Sequence, residues 1–139
     1  MIFIMSEWAI LDYVELTGRN QIREWLDGLP PKDQAKIDER LRAMEQLDKW
    51  SEKWASKYRG TDEIYEFRIT GNKVQYRPLG TYYGIRQYVI LAGAIEKDNK
   101  IPKRNIETAE QRLNNIRSCT GDVIPHQFEG EGNLEEIAE

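Results

Sequence analysis

Apolar residues along this chain come first as a short run, then at helical spacing, then in alternation, and finally at helical spacing again. Trp8-Ala-Ile-Leu-Asp-Tyr-Val14 is apolar and partly β-branched and predicts a first strand. Thr17 to Asn20 breaks that pattern, with Asn20 an N-cap for a short helix carrying Ile22, Trp25, Leu26 and Leu29. Pro30-Pro31 ends this helix and opens the next, because proline disfavours helix in the residue before it yet suits a first helical position. Ala35, Ile37, Leu41, Met44 and Leu47 form one stripe in a charged segment, predicting a solvated helix over Lys32–Trp50 and a helical hairpin. From Ile64 the period becomes two. Ile64–Thr70, Val74–Leu79 and Ile85–Ala92 predict three antiparallel strands, joined at Gly71-Asn72 and at Tyr82-Tyr83-Gly84. Pro102 opens a last helix with the stripe Ile106, Ala109, Leu113 and Ile116. The fold class is therefore α+β: an N-terminal strand, a two-helix hairpin, a three-stranded antiparallel meander and a C-terminal helix, with helices on one face of the sheet.

A length of 139 residues suggests one domain, and 40% apolar content supports a packed core. Residues 1–118 are expected to form that domain. Residues 119–139 are expected to be an acidic, flexible tail in which His126 has no role. No stretch approaches the roughly 18–20 consecutive apolar residues of a membrane span, so no membrane partner is expected. The opening Met1-Ile-Phe-Ile-Met5 is too short for a signal peptide and lacks a basic leader, and Met5 is a second candidate start. Cys119 is the single cysteine, which excludes an internal disulfide and points to a reducing cytoplasm. One Cys and one His are too few soft ligands for a dedicated zinc site; no metal or cofactor is expected.

The net charge of −4 argues against a nucleic-acid partner until its distribution is considered. Thr120 to Glu139 holds six acids and no Lys or Arg, whereas Tyr58 to Arg117 holds eleven bases against seven acids. A middle segment of +4 permits RNA contact. Its bases Arg59, Lys73, Arg86, Lys100, Lys103 and Arg104 are the candidate RNA-binding residues. Alternation puts Glu66 and Arg68 on the polar face of one strand, near Arg77 of the next. Glu66 between two arginines is either their ion-pair partner or a general base. Trp25, Trp50 and Trp54 lie at or next to helical stripes and read as packing residues.

Tyr58-Arg-Gly-Thr-Asp-Glu-Ile-Tyr-Glu-Phe-Arg68, Val74-Gln-Tyr-Arg77, Ile90-Leu-Ala-Gly-Ala-Ile-Glu-Lys97, Lys100-Ile-Pro-Lys103 and Ala109-Glu-Gln-Arg112 follow one another at spacings that resemble the RelE/ParE toxin superfamily, closest to its phage-derived, HigB-like branch. The resemblance implies a RelE-like fold and the toxin of a type II toxin–antitoxin pair. It further implies a metal-independent endoribonuclease that cleaves mRNA, usually on the ribosome, and a cognate antitoxin of helix-turn-helix type. In that chemistry the RNA 2′-hydroxyl attacks the adjacent phosphate. By position, Arg77 matches the transition-state arginine, Arg68 a phosphate-binding base, and Lys97 the second lysine of a "KK" pair. Lys103 and Arg104 fall where RelE itself carries a tyrosine. The sequence departs from the pattern at Glu96, where the first lysine of that pair belongs, and at Ala94, Asn105 and Pro78. ParE-like members of the superfamily act on a protein, which is the alternative reading: a non-catalytic relative that binds a protein partner.

Overall fold

The computed structural model describes residues 8–128. Eleven elements follow in order: β1 (Ala9–Glu15), α1 (Gln21–Asp27), α2 (Pro31–Gln46), β2 (Ala55–Lys57), β3 (Tyr65–Phe67), β4 (Ile69–Thr70), β5 (Gln75–Tyr76), β6 (Leu79–Gly84), β7 (Gln87–Ala92), α3 (Lys103–Arg117) and β8 (Gly121–Pro125). The fold is α+β, with three helices on a mixed sheet, compatible with a RelE-like arrangement. The main sheet runs β2-β3-β6-β7-β1-β8, while β4 and β5 form a separate small ladder. β1 lies parallel to β7, and the other pairs are antiparallel.

The local signals for the hairpin hold. The Asn20 side chain accepts the Arg23 N–H at 2.9 Å, capping α1, and Pro31 opens α2. Ile37, Leu41 and Met44 are fully buried, each stabilising the fold by roughly 1.5–3 kcal/mol. α2 ends at Gln46, short of the expected Trp50, because the chain turns extended at Leu47. The Trp50 indole then donates to the Met44 carbonyl at 2.7 Å, beside the Leu47 N–H at 3.3 Å, so two donors close the last turn of the helix. Trp25, Trp50 and Trp54 pack against the core as expected.

Helices cover both faces of the sheet, not one. Tyr88 and Ile90 of β7 pack with Ile22, Leu26, Ile37 and Leu41 of α1 and α2. Val89 and Leu91 pack with Ile106, Ala109 and Leu113 of α3 on the other face. An uninterrupted apolar run such as Tyr88–Leu91 is the signature of a strand buried on both sides. Arg112 fastens α3 to β7, donating to the Leu91 carbonyl at 2.8 Å.

The meander survives as β3-β6-β7, but with different breaks. Tyr82, Tyr83 and Gly84 belong to β6, and the turn falls at Ile85-Arg86, leaving Ile85 exposed. The strand expected over Ile64–Thr70 divides at Arg68, whose N–H donates to the Trp54 carbonyl at 2.8 Å. Its partner divides at Arg77-Pro78, where proline has no N–H for a ladder. Before that break, Gln75–Arg77 runs antiparallel to Ala94–Glu96: Arg77 N–H donates to Ala94 O at 2.8 Å and Glu96 N–H to Gln75 O at 2.9 Å.

The expected flexible tail is corrected over residues 121–128. β8 pairs with β1 from Leu11↔Pro125 to Glu15↔Gly121, and Phe128 is buried, so the fold runs past the boundary placed at 118. His126 is buried as well, its Nδ1 2.8 Å from Asp12 Oδ1 and its Nε2 3.3 Å from Asp38 Oδ1. Two carboxylate acceptors suit a doubly protonated imidazole, which donates from both nitrogens. The composition of this segment hid the strand, because the groups that hold it lie on β1 and α2. Residues 129–139, with five of the six tail acids, lie outside the described residues. Among the described residues no helix is long and apolar enough to cross a membrane.

Burial alone lowers the His126 pKa, but hydrogen bonds to Asp12 and Asp38 and their charges outweigh it, raising the value from 6.5 to about 9. Folding therefore favours the protonated ring. The stabilisation is complete below the unfolded value of 6.5 and disappears as pH rises through about 9. Thermal unfolding across that window is expected to show a loss on the order of 3 kcal/mol in the wild type. His126→Gln is expected to be less stable below it and nearly flat across it.

Candidate functional site

Where β2, β3 and the Gln75–Arg77 segment approach the turn before α3, the surface opens into a cleft of about 310 Å³. Its walls carry Lys57, Tyr58, Arg59, Glu66, Arg68, Arg77, Glu96, Asn99, Lys100 and Ile101. Five cations against two carboxylates leave a surplus of three positive charges in one small concavity. Such a cleft concentrates field and attracts anions.

The cations fall into two groups. Glu66 and Arg77 are buried in the floor. The Arg68 guanidinium donates from Nε at 3.0 Å and approaches from Nη2 at 2.9 Å, both to Glu66 Oε1. Among the described residues both contacts fall on Oε1, and Oε2 keeps accepting capacity. Arg77 donates from Nη1 to the Tyr76 carbonyl at 2.9 Å and from Nη2 to Glu96 Oε2 at 2.7 Å. Antiparallel pairing of Gln75–Arg77 with Ala94–Glu96 creates this contact: it puts residues 77 and 96 on one face as diagonal neighbours. On the rim, Lys57 reaches the exposed Asp62 at 3.6 Å. Arg59 and Lys100 have no ion-pair partner among the described residues, and both are exposed.

A family model described as phage derived protein Gp49-like (DUF891) matches residues 24–114. The chain belongs to the phage-derived Gp49-like family. The match takes in every residue lining the cleft, whereas Asp12 and His126 fall outside it. No curated protein and no solved structure matches the chain.

Within the Gp49-like cleft the structure brings together Arg77, Arg68, Glu66, Arg59 and Lys100 of the residues singled out from sequence. Lys97 closes the turn beside it by backbone bonds with Lys100 at 2.8 and 2.9 Å, through left-handed Asp98 and Asn99, but its exposed side chain does not line the cleft. Lys103 is exposed and 3.9 Å from Glu107. Arg104 faces a different depression with Tyr13, Glu15 and Gln21. Lys73 sits in the β4–β5 turn with φ of 60°. Arg86 sits in the β6–β7 turn, paired with Asp48 and 5.9 Å above the Trp8 ring, at the far end of β7 from Glu96. Lys57, Tyr58 and Asn99 line the cleft without having been singled out. Tyr58 opens the first family-like string, which was its one sequence signal, while Lys57 and Asn99 fall outside the strings. Tyr58 brings the single phenol among the lining residues.

The two groups of cations predict different mutational costs. Arg77→Ala leaves the Glu96 carboxylate facing no guanidinium in a shielded position and is expected to cost about 1–3 kcal/mol in urea unfolding. Arg59→Ala and Lys100→Ala break no contact of that kind and are expected to stay within about 0.5 kcal/mol of wild type.

Proposed function

We propose that this Gp49-like protein is the toxin of a type II toxin–antitoxin pair and cleaves mRNA without a metal ion, in the cytoplasm and on the ribosome. The family is associated with the toxins of toxin–antitoxin pairs. The observation that carries the reading is the cationic cleft itself, in which Glu66 keeps a free carboxylate oxygen beside Arg68 and Arg77.

In this reading Arg59 and Lys100 take the phosphates that flank the scissile bond. Arg77 faces the phosphorane that forms as the 2′-oxygen attacks, where a guanidinium stabilises charge that develops only in the transition state. Glu66 accepts the 2′ proton at Oε2, held in place by Arg68 on Oε1. The Tyr58 hydroxyl donates to the departing 5′ oxygen, a role for which the neighbourhood of Lys103 and Arg104 offers no candidate. A helix-turn-helix antitoxin would silence the protein by covering the cleft with carboxylates or apolar anchors.

A second reading follows from the ion pairs: with Arg68 on Glu66 and Arg77 on Glu96, the floor is already neutralised, as suits a ParE-like relative that binds a protein. Induced expression without an antitoxin separates the two. Growth arrest with new mRNA 5′ ends, abolished by Glu66→Gln, is the expected outcome. Arrest without new 5′ ends would move the function to a protein target. Binding of an uncleavable 2′-O-methyl RNA is expected to weaken with salt, and Arg59→Ala to reduce the log–log slope by about 0.7, the loss of one phosphate contact.

A further inference from the structure

Glu96 stands against Arg77 in the floor of the cleft, and its contact is of a particular kind. A carboxylate that fully satisfied the guanidinium would take two parallel N–H groups, but Glu96 takes one bond, from Nη2 to Oε2 at 2.7 Å. The Arg77 Nη1 is committed to the Tyr76 carbonyl, which anchors the guanidinium independently of Glu96. The two partners also differ in freedom. The Arg77 side chain is 10% exposed and the Glu96 side chain 20%. Glu96 lies just past β7 in a segment joined to its neighbours by an isolated bridge and a two-residue turn. Arg77 is fixed, therefore, and Glu96 is the partner that can turn aside.

We propose that Glu96 is a built-in competitor for the anion that Arg77 binds: its carboxylate occupies the guanidinium in the free protein and is displaced when a phosphate enters. The inference rests on reading the cleft as a phosphate site. A phosphodiester offers two oxygens to the guanidinium where Glu96 uses one, and it reaches Arg59 and Lys100 at the same time. A lone carboxylate or a small monoanion gains less from those rim cations. Glu96 therefore sets a threshold: it lowers affinity for every anion but leaves a polyphosphate chain the most able to displace it. It also keeps the buried guanidinium paired while the cleft is empty.

The test uses two probes, an uncleavable 2′-O-methyl single-stranded RNA followed by fluorescence anisotropy and inorganic pyrophosphate followed by calorimetry. The full chain is compared with Glu96→Gln, with Glu96→Asp, and with Glu96→Gln combined with Arg77→Gln. Glu96→Gln is expected to bind both probes about 5- to 30-fold more tightly than wild type, a gain of the size that separate charge couplings reach. Glu96→Asp, shorter by one methylene, is expected to fall between them. The combined variant is expected to return to wild-type affinity or below, because the gain acts through Arg77. Equal or weaker pyrophosphate binding by a folded Glu96→Gln, or by Glu96→Asp if the glutamine variant does not fold, overturns the proposal and makes Glu96 a positioning residue for Arg77. Tighter pyrophosphate binding with no RNA binding by any variant supports the competitor while removing the RNA reading. No pyrophosphate binding by any variant overturns the competitor itself.

Discussion

A carboxylate with no exposed surface sits in the middle of β1, and the arrangement of the elements around it follows from the need to satisfy it. Asp12 shares its face with Ile10, toward α1 and α2. Oδ2 accepts from the Asn20 amide at 3.0 Å, and Oδ1 meets His126 at 2.8 Å. Asn20 is at the same time the cap of α1, so the group that satisfies the carboxylate also fixes where that helix begins. His126 in turn reaches Asp38 on α2, tying the segment after β8 to the hairpin. One buried acid thus joins a central strand, the entry to one helix, the flank of another and the C-terminal strap. Losing His126 leaves the Asp12 carboxylate buried without its cation, which is worse than never having had the network.

A second tie of similar design holds the other end of α2. Asp33, in the first turn of α2, accepts the Asn72 N–H at 3.0 Å and the Tyr76 hydroxyl. Burial, and then the hydrogen bond to Asp33 and its charge, push the Tyr76 phenol up to about 12, so that it donates throughout the ordinary pH range. This anchors the β4–β5 hairpin to the helix, apart from the main sheet. Gln75–Arg77 is then free to run along Ala94–Glu96, and Pro78 prevents it from continuing as a regular ladder strand. The floor of the cleft is a product of that break in the sheet.

What could be read from sequence was whatever a short stretch of chain decides. The α2 stripe, the Asn20 cap and the Pro31 start depend on neighbours within a turn or two, and each is where periodicity and capping rules put it. Glu66 and Arg68 were found by strand alternation for the same reason, while Arg77 was found by its place in a family-like string. Asp12 escaped because a single acid in an apolar run carries no sign of its partners, which lie 8 and 114 residues away. β8 escaped because its stability comes from register with β1 and from His126, while its own composition is that of a loop. Lys73 and Arg86 were grouped with the cleft by charge alone, but turn residues go to the ends of strands, and these two lie at other ends. Lys57 and Tyr58 escaped because a strand of three residues shows no period.

The charges of the cleft settle a conflict between folding and binding. Five cations around a small concavity repel one another, and the cost is largest for the most shielded, since the effective dielectric falls with depth. Arg68 is half exposed and needs little compensation; it is the buried Glu66 that gains from their bond, because its carboxylate would otherwise lie shielded without a cation. Arg77 is buried and cannot stay unpaired at small cost. A lysine at position 96 would have placed a second cation against it and left the empty cleft to be neutralised from outside. A glutamate there neutralises it from within. The acid at 96, a departure when the chain is read as a string of motifs, is the charge that pairs a buried arginine from within the fold, while Arg59 and Lys100 at the rim have no ion-pair partner among the described residues and stand in solvent, where that costs least.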